Sequence, residues 1–393
     1  LFFSLIKNSS QYFLSIYILL SILIGIILFK KKKVSLKNIK SIFFENKIYF
    51  FLLLFIFLVL SIDIISKLKL GWDAQNFIFL KTLHFFNGKP FFNLVELDQP
   101  HYSHLGSYIW SIFWNNGFFN NEYNGRLFYL YFFLISLFSF CSHFNNKKIF
   151  IISVLGFVLL FYKYKYFFGS QEILNFSLFL ILSSTIYRRI YLNEKVSFFE
   201  IIFLINLFMW FKNESIIMLF IIISYFVLFS KNLISFKEKL FITFSTLFLF
   251  SLRLIVYFYI ESEIVRNTPL FDYQFEKTFS INFQILIDNF KIVTYYFAGH
   301  IFLNPFLLLN YLVMIYFIIF SKTHNVMFKP FIIFIIIFHT IFTYVAFMFN
   351  FYDVKFQTQV AMDRFLISTC GIYSLVYLII YNKFKLKNDT QNI

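Results

Sequence analysis

A succession of unbroken apolar runs governs what this chain can become. They lie near 11–29, 48–67, 124–142, 149–166, 172–187, 199–211, 215–230, 240–260, 300–320, 331–350 and 364–381. About 20 apolar residues at ~1.5 Å rise cover the ~30 Å hydrocarbon layer of a bilayer. In that layer every backbone amide must be paired internally, which leaves helices or closed barrels. The runs are continuous and not alternating, so helices are expected. A soluble chain would need a charged surface of roughly a quarter of its residues, whereas only 14% of these 393 are charged and the mean hydropathy is +0.75. The expectation is an all-α, polytopic transmembrane helical bundle of about eleven spans. It forms a single domain over 1–393, and 172–187 and 199–211 are its short spans.

A formal charge of +16 would suit nucleic acid, but the cations sit at the ends of apolar runs, as juxtamembrane anchors do. When the loops are alternated, one side receives the seven lysines of 30–47, Lys147 and Lys148, Arg188, Arg189 and Lys195, Lys231, Lys237 and Lys239, Lys322 and Lys329, and Lys383, Lys385 and Lys387. These are 20 of the 35 basic residues, in short loops and the tail, where the positive-inside rule has most force. That side is read as cytoplasmic, which puts the C-terminus there and the protein in the inner (cytoplasmic) membrane. The opposite side carries long loops near 68–123, 261–299 and 351–363 and much of the acid. Cys141 and Cys370 suggest neither a disulfide framework nor a metal site. Residue 1 is Leu, so the start is read as a non-standard codon, a processed end or a truncation. No cleavable signal is expected, because the first apolar run is long and ends in Lys30–Lys33.

The periplasmic first loop is the richest in chemistry. Gly71-Trp72-Asp73-Ala74-Gln75 follows the second span directly, placing Asp73 at the membrane–water boundary, where a carboxylate can act as a general base. Residues 97–108 gather Asp98, Pro100, His101 and His104. The two histidines, at i and i+3, make only a weak metal site by themselves, so hydrogen-bonding or packing roles are preferred. Residues 100–114 are expected as an interfacial helix with Trp110 and Trp114 at headgroup depth. Further charges stand at span boundaries: Arg126, Glu172, Lys212 with Glu214, and Asp363 with Arg364. Charges at such depth are expensive and mark a cavity or partner by default. Snorkelling of Arg126 and a local Lys212–Glu214 pair are the structural alternatives. By the loop alternation, all of them map to the outer half of the membrane.

The order of these features resembles the GT-C membrane glycosyltransferases, in particular the branch similar to protein O-mannosyltransferases and lipid A aminoarabinose transferases. Asp73 matches the acid that follows an early span, and Asp98-Gln99-Pro100-His101 resembles an acid-x-Pro-Pro-Leu run in which His101 and Tyr102 replace the second Pro and its Leu. Glu122–Leu127 resembles a Glu-x-x-x-Arg-Leu span entry, and Gln171-Glu172-Ile173-Leu174 a Gln-x-acid-x-Leu pattern lacking the residue between Gln and the acid. Lys212-Asn213-Glu214-Ser215 and Asp363-Arg364-Phe365 match later motifs, while no large C-terminal soluble domain follows.

The resemblance implies transfer of a sugar from a polyprenyl-phosphate donor to a protein, lipid or glycan acceptor on the outer face, and whether a divalent metal takes part stays open. It implies Asp73 as base, Asp98 or Glu172 orienting the acceptor, and Lys212 and Arg364, with Arg126, holding the donor phosphate. His101, His104 and Glu214 join them as substrate-binding candidates. Membrane lipid is the expected surrounding, and no nucleic-acid partner is expected. Two other classes stay open: a surface-polysaccharide polymerase or ligase, and a polytopic lipid or solute transporter.

Overall fold

The computed structural model describes residues 47–67, 70–71, 73–97, 100, 103–115, 120–144, 146–229, 234–262, 282–320, 328–349 and 353–391, together with isolated positions 8, 12, 19, 22 and 23. Most of the expected first span, 11–29, therefore lies outside the described residues. The described elements are all helical, and the one strand-like feature is an isolated bridge between Asn115 and Asn120. Among the described residues six helices are long and apolar enough to cross a membrane, or seven if one sharply bent pair counts as a span.

Their surfaces say which solvent they suit. Phe55 and Ile62 are 66% and 69% exposed, and Phe244, Phe248 and Ile255 are 68%, 65% and 64% exposed. At about 1–2 kcal/mol for each large apolar side chain left mostly in water, ten such residues would forfeit roughly 10–20 kcal/mol. That rivals the ~5–15 kcal/mol stability of a whole soluble domain. In hydrocarbon the penalty vanishes. Several long apolar helices of this kind make the chain a multi-pass membrane protein.

The chain divides into two compact units. One comprises Leu1–Cys141, Asn145–Leu174 and Ile260–Arg266, and the other Ser142–Phe144, Asn175–Tyr259 and Asn267–Ile393. The first unit contains α1 (Lys47–Ser66), a π-helical turn (Ala74–Ile78), α2 (Phe79–Phe86), a 3-10 turn (Phe91–Glu96), α3 (Leu105–Trp114), α4 (Tyr123–Cys141) and α5 (Lys147–Lys163). It also holds the first residues of α6 (Glu172–Ile186). Helix α4 packs against α1, α3 and α5, and α2 packs on α3. Asn146 starts α5 by accepting from the Lys148 and Ile149 amides at 2.9 and 3.4 Å, supplying acceptors to otherwise orphaned donors.

The first loop thus folds into helices, and Trp110 is fully buried within this unit. Its Nε1–H donates to the Glu122 carbonyl at 3.1 Å, and its ring stands 5.7 Å from that of Tyr129. Two glycines make the slot. A Cβ at Gly125 would fall 2.0 Å from Trp110 Cδ1, and one at Gly169 would fall 2.8 Å from Trp110 Cη2. Gly169 also has a φ of +84°, which a side chain would strain. An indole that finds both a buried acceptor and a matching slot gains more there than at an interface.

The turn after α2 is held by His84, whose Nε2–H donates to the Pro90 carbonyl at 2.9 Å. Burial lowers the pKa of this imidazole; the Pro90 hydrogen bond opposes that, the Lys89 cation adds to it, and Glu96 opposes it again. A histidine with a lowered folded pKa binds fewer protons folded than unfolded near its ordinary value of about 6.5. Its contribution to stability is therefore complete above that value and is lost as the pH falls through it. Detergent-solubilised protein should unfold at lower temperature at pH 5 than at pH 7.5. His84→Gln, which keeps a donor for Pro90 without titrating, should flatten part of that slope. His143 is shifted the same way and would keep the remainder; an unaltered slope would rule His84 out.

The second unit contains the rest of α6 with its π-helical end (Tyr187–Tyr191), then α7 (Phe198–Phe211), α8 (Asn213–Phe229) and, up to Tyr259, α9 (Phe236–Ser262). It continues with α10 (Phe283–Leu303), α11 (Pro305–Phe320), α12 (Phe328–Met348), α13 (Val354–Thr369) and α14 (Ser374–Gln391). Two expectations are corrected here. The stretch 261–299 is not loop throughout, because α10 begins at Phe283, started by Asn282 accepting from the Gln284 amide at 3.2 Å. Likewise 351–363 is helical from Val354, started by the Asp353 carboxylate accepting from Lys355 and Phe356. Polar residues such as Asp288, Lys291, Gln357 and Asp363 lower the hydropathy of both stretches without hindering a helix.

Two breaks interrupt this unit. Helices α10 and α11 meet at 92°, where the expected span 300–320 had been continuous. Pro305 lacks an amide proton and forces Asn304 to extended backbone, and the Asn304 side chain accepts from the Phe306 and Leu307 amides. Between α13 and α14 the helix tightens to a 3-10 turn over Cys370–Tyr373. Ser183 donates to the Gly371 and Ile372 carbonyls at 3.1 and 3.2 Å, and His339 bonds both Tyr373 and Thr369. Irregular backbone inside a membrane protein needs such partners.

Candidate functional site

In the first unit the segments bearing Asp73 and Glu172 are tied together. The Gly71 amide donates to the Phe168 carbonyl at 3.0 Å, and a Cβ on Gly169 would lie 3.2 Å from that of Ala74. Asp73 is half-buried and begins the π-helical turn, with helical backbone at φ −64° and ψ −37°. Glu172, at the N-terminus of α6, is buried and accepts from Ser170 Oγ. A carboxylate at a helix N-terminus is favoured by the exposed amide donors there.

Beside Glu172, Gln171 is buried, and its side-chain amide pairs with the buried Tyr129 hydroxyl. Both border Gly106, where a Cβ would fall 2.4 Å from that amide nitrogen and 2.9 Å from that hydroxyl.

Arg126 is 1% exposed and is spent on its neighbours. It donates to both Glu122 oxygens at 2.9 and 2.7 Å and to the Lys67 carbonyl at 3.4 Å, and its guanidinium stands 5.0 Å from the Tyr123 ring centroid. His104 is buried with its ring 4.5 Å from that of Phe91 and 6.2 Å from that of Phe85. Asp98 and His101 lie outside the described residues. Sequence reasoning passed over Lys81, which is 1% exposed in α2, one helical turn from Phe85. The i, i+4 stripe it shares with buried Phe85 is the signal that places it inside.

In the second unit Lys212 is the single extended residue separating α7 from α8, at φ −152° and ψ 152°. Its ammonium stands 3.4 Å from Glu214 Oε1. The hairpin tip has a second cation. Arg253 of α9, buried, donates to Asn213 Oδ1 at 3.3 Å and lies 5.1 Å from the Trp210 ring centroid. Its position alone in an apolar run is the sequence signal for a role at this tip. Ser215 donates to Asn175 Oδ1, and Asn175 Nδ2 remains a buried donor without a partner. Two cations, an orphaned amide donor and the N-terminus of α8 form a setting for an oxyanion.

Arg364 does not open its span as expected. It sits within α13, half-buried, with Nε donating to the Val360 carbonyl at 3.1 Å. Helix α8 packs on α13, so the helix that begins at Asn213 touches the helix carrying Arg364. Among the described residues no three His, Cys, Asp or Glu side chains are grouped to hold a metal ion. Comparison with known protein families, curated proteins and solved structures finds no match.

Proposed function

We propose that this protein is a membrane glycosyltransferase that moves a sugar from a polyprenyl-phosphate donor to an acceptor on the outer face of the inner membrane. In this reading the chain has about eleven spans, the 68–123 loop is periplasmic and the C-terminus is cytoplasmic. The observation that carries it is the tie between the Asp73 and Glu172 segments, beside the buried Gln171–Tyr129 pair.

The chemistry asks for little more. Asp73 takes the proton of an acceptor hydroxyl or amine, and that atom bonds to the sugar's anomeric carbon. The bond from this carbon to the phosphate oxygen breaks, and its electron pair leaves with the polyprenyl phosphate. The leaving group is good, so stabilising its charge outweighs protonating it. Lys212 supplies a point charge for the phosphate, and Arg253 and Arg364 supply planar, paired donors.

Incubating the purified protein with radiolabelled polyprenyl-phosphate sugars and membrane extract should label an acceptor. Lys212→Gln should raise the donor KM about tenfold or more, the scale of one lost charge-assisted hydrogen bond. An unchanged KM counts against the role.

A transporter is the second reading, favoured by the 92° break at Asn304–Pro305, since discontinuous helices build many transporter sites. Substrate-dependent flux in vesicles without a covalent product would select it.

A further inference from the structure

The second unit holds a cleft that the transferase reading leaves unused. It lies among the end of α6, α7, α8 and the start of α9, and encloses about 780 Å³ including the part open to its surroundings. Ile186, Leu204, Phe208, Ile222, Phe226 and Ile242 are among its walls, and the surface it presents is wholly apolar. Only Arg189 and Lys239 among the lining residues carry charge. Since no polar atom faces the cleft, these two line it with their methylene stems. The Arg189 guanidinium is bonded to Glu238 at 2.9 and 3.0 Å, and the Lys239 ammonium to the Val227 carbonyl at 3.1 Å.

The surrounding loops carry Arg188, Lys195 and Lys237 against Glu194 and Glu200, so positive charge exceeds negative at this end. It is also the end assigned to the cytoplasmic leaflet, where anionic lipids concentrate. An apolar cleft with two cations among its lining residues fits one class of occupant. We propose that this cleft binds one acyl chain of an anionic phospholipid, with the lipid phosphate set against Arg189 and Lys239. Each basic residue near an anionic headgroup contributes attraction of the order of a fivefold change in affinity.

Native mass spectrometry of the full chain in detergent, titrated with phosphatidylglycerol or phosphatidylcholine, tests this. The wild type should bind one phosphatidylglycerol about tenfold or more ahead of phosphatidylcholine. Lys239→Gln should cut that preference about fivefold, and Glu238→Gln, which removes a competing negative charge, should increase it. The Lys147→Gln/Lys148→Gln pair, at the basic start of α5, should leave it unaltered. Ile223→Trp, at a half-buried cleft position, should displace both lipids.

Equal binding of the two lipids, or equal loss of preference in the Lys147/Lys148 control, would overturn the headgroup assignment. Undiminished binding in Ile223→Trp would overturn the cleft itself, as would a wild type that binds no lipid because a segment of its own chain or a second copy fills the space. Should Ile223→Trp fail to fold, the opposed effects of Lys239→Gln and Glu238→Gln still decide the matter.

Discussion

Asp73→Asn should all but abolish sugar transfer while leaving the yield and dispersity of the purified protein unchanged. Asn keeps the size and hydrogen-bonding capacity of the side chain but cannot take a proton, and losing a positioned general base costs about 10²–10⁴-fold in rate. Donor binding should persist, because Asp73 acts on the acceptor. A single-turnover assay with labelled donor separates the two steps, and near-wild-type turnover would refute the assignment. Glu172→Gln should be milder, since the amide still accepts from Ser170 and still reaches an acceptor hydroxyl.

The largest loss of stability is expected from Glu122→Gln. It leaves the Arg126 cation, 1% exposed, facing a neutral amide oxygen, the Lys67 carbonyl and the Tyr123 ring in place of a carboxylate. Breaking one side of a buried ion pair costs about 3–5 kcal/mol, and the lower end applies because Glu122 is itself 20% exposed. Thermal unfolding in detergent should show the drop, and the double change Glu122→Gln/Arg126→Met should recover most of it by removing the stranded charge. Single and double variants of equal stability would show that the pair contributes little.

Much of this architecture was legible from apolar run length alone. The expected runs 48–67, 124–142, 172–187 and 199–211 fall on α1, α4, α6 and α7 to within a few residues, and Lys212 marks the α7–α8 turn. Legibility failed where helices carry polar faces. The starting signals Asn282 and Asp353 stand in the sequence, but a hydropathy window averages over Asp288 and Lys291, or over Gln357 and Asp363, and returns loop. The candidate site was legible as residue types in order. Its geometry was not, because the partners are distant in sequence: Gly71 with Phe168, Gly106 with Gln171, and Asn213 with Arg253. Arg126 was legible as a charge at a span boundary, but its partner, the Glu122 carboxylate just before α4, was read only as part of a motif.

The slot around Trp110 bears on how this sequence can drift. An indole there leaves no volume for a methyl group at 125 or 169, so three positions on three separate stretches are locked into a joint choice. Descendants that keep the tryptophan must keep both glycines; once position 110 has shrunk, alanine becomes admissible at 125, while the left-handed backbone still holds 169 to glycine. Among divergent relatives positions 110 and 125 should therefore change together, and their joint substitution would trace the interior of this unit without any coordinates.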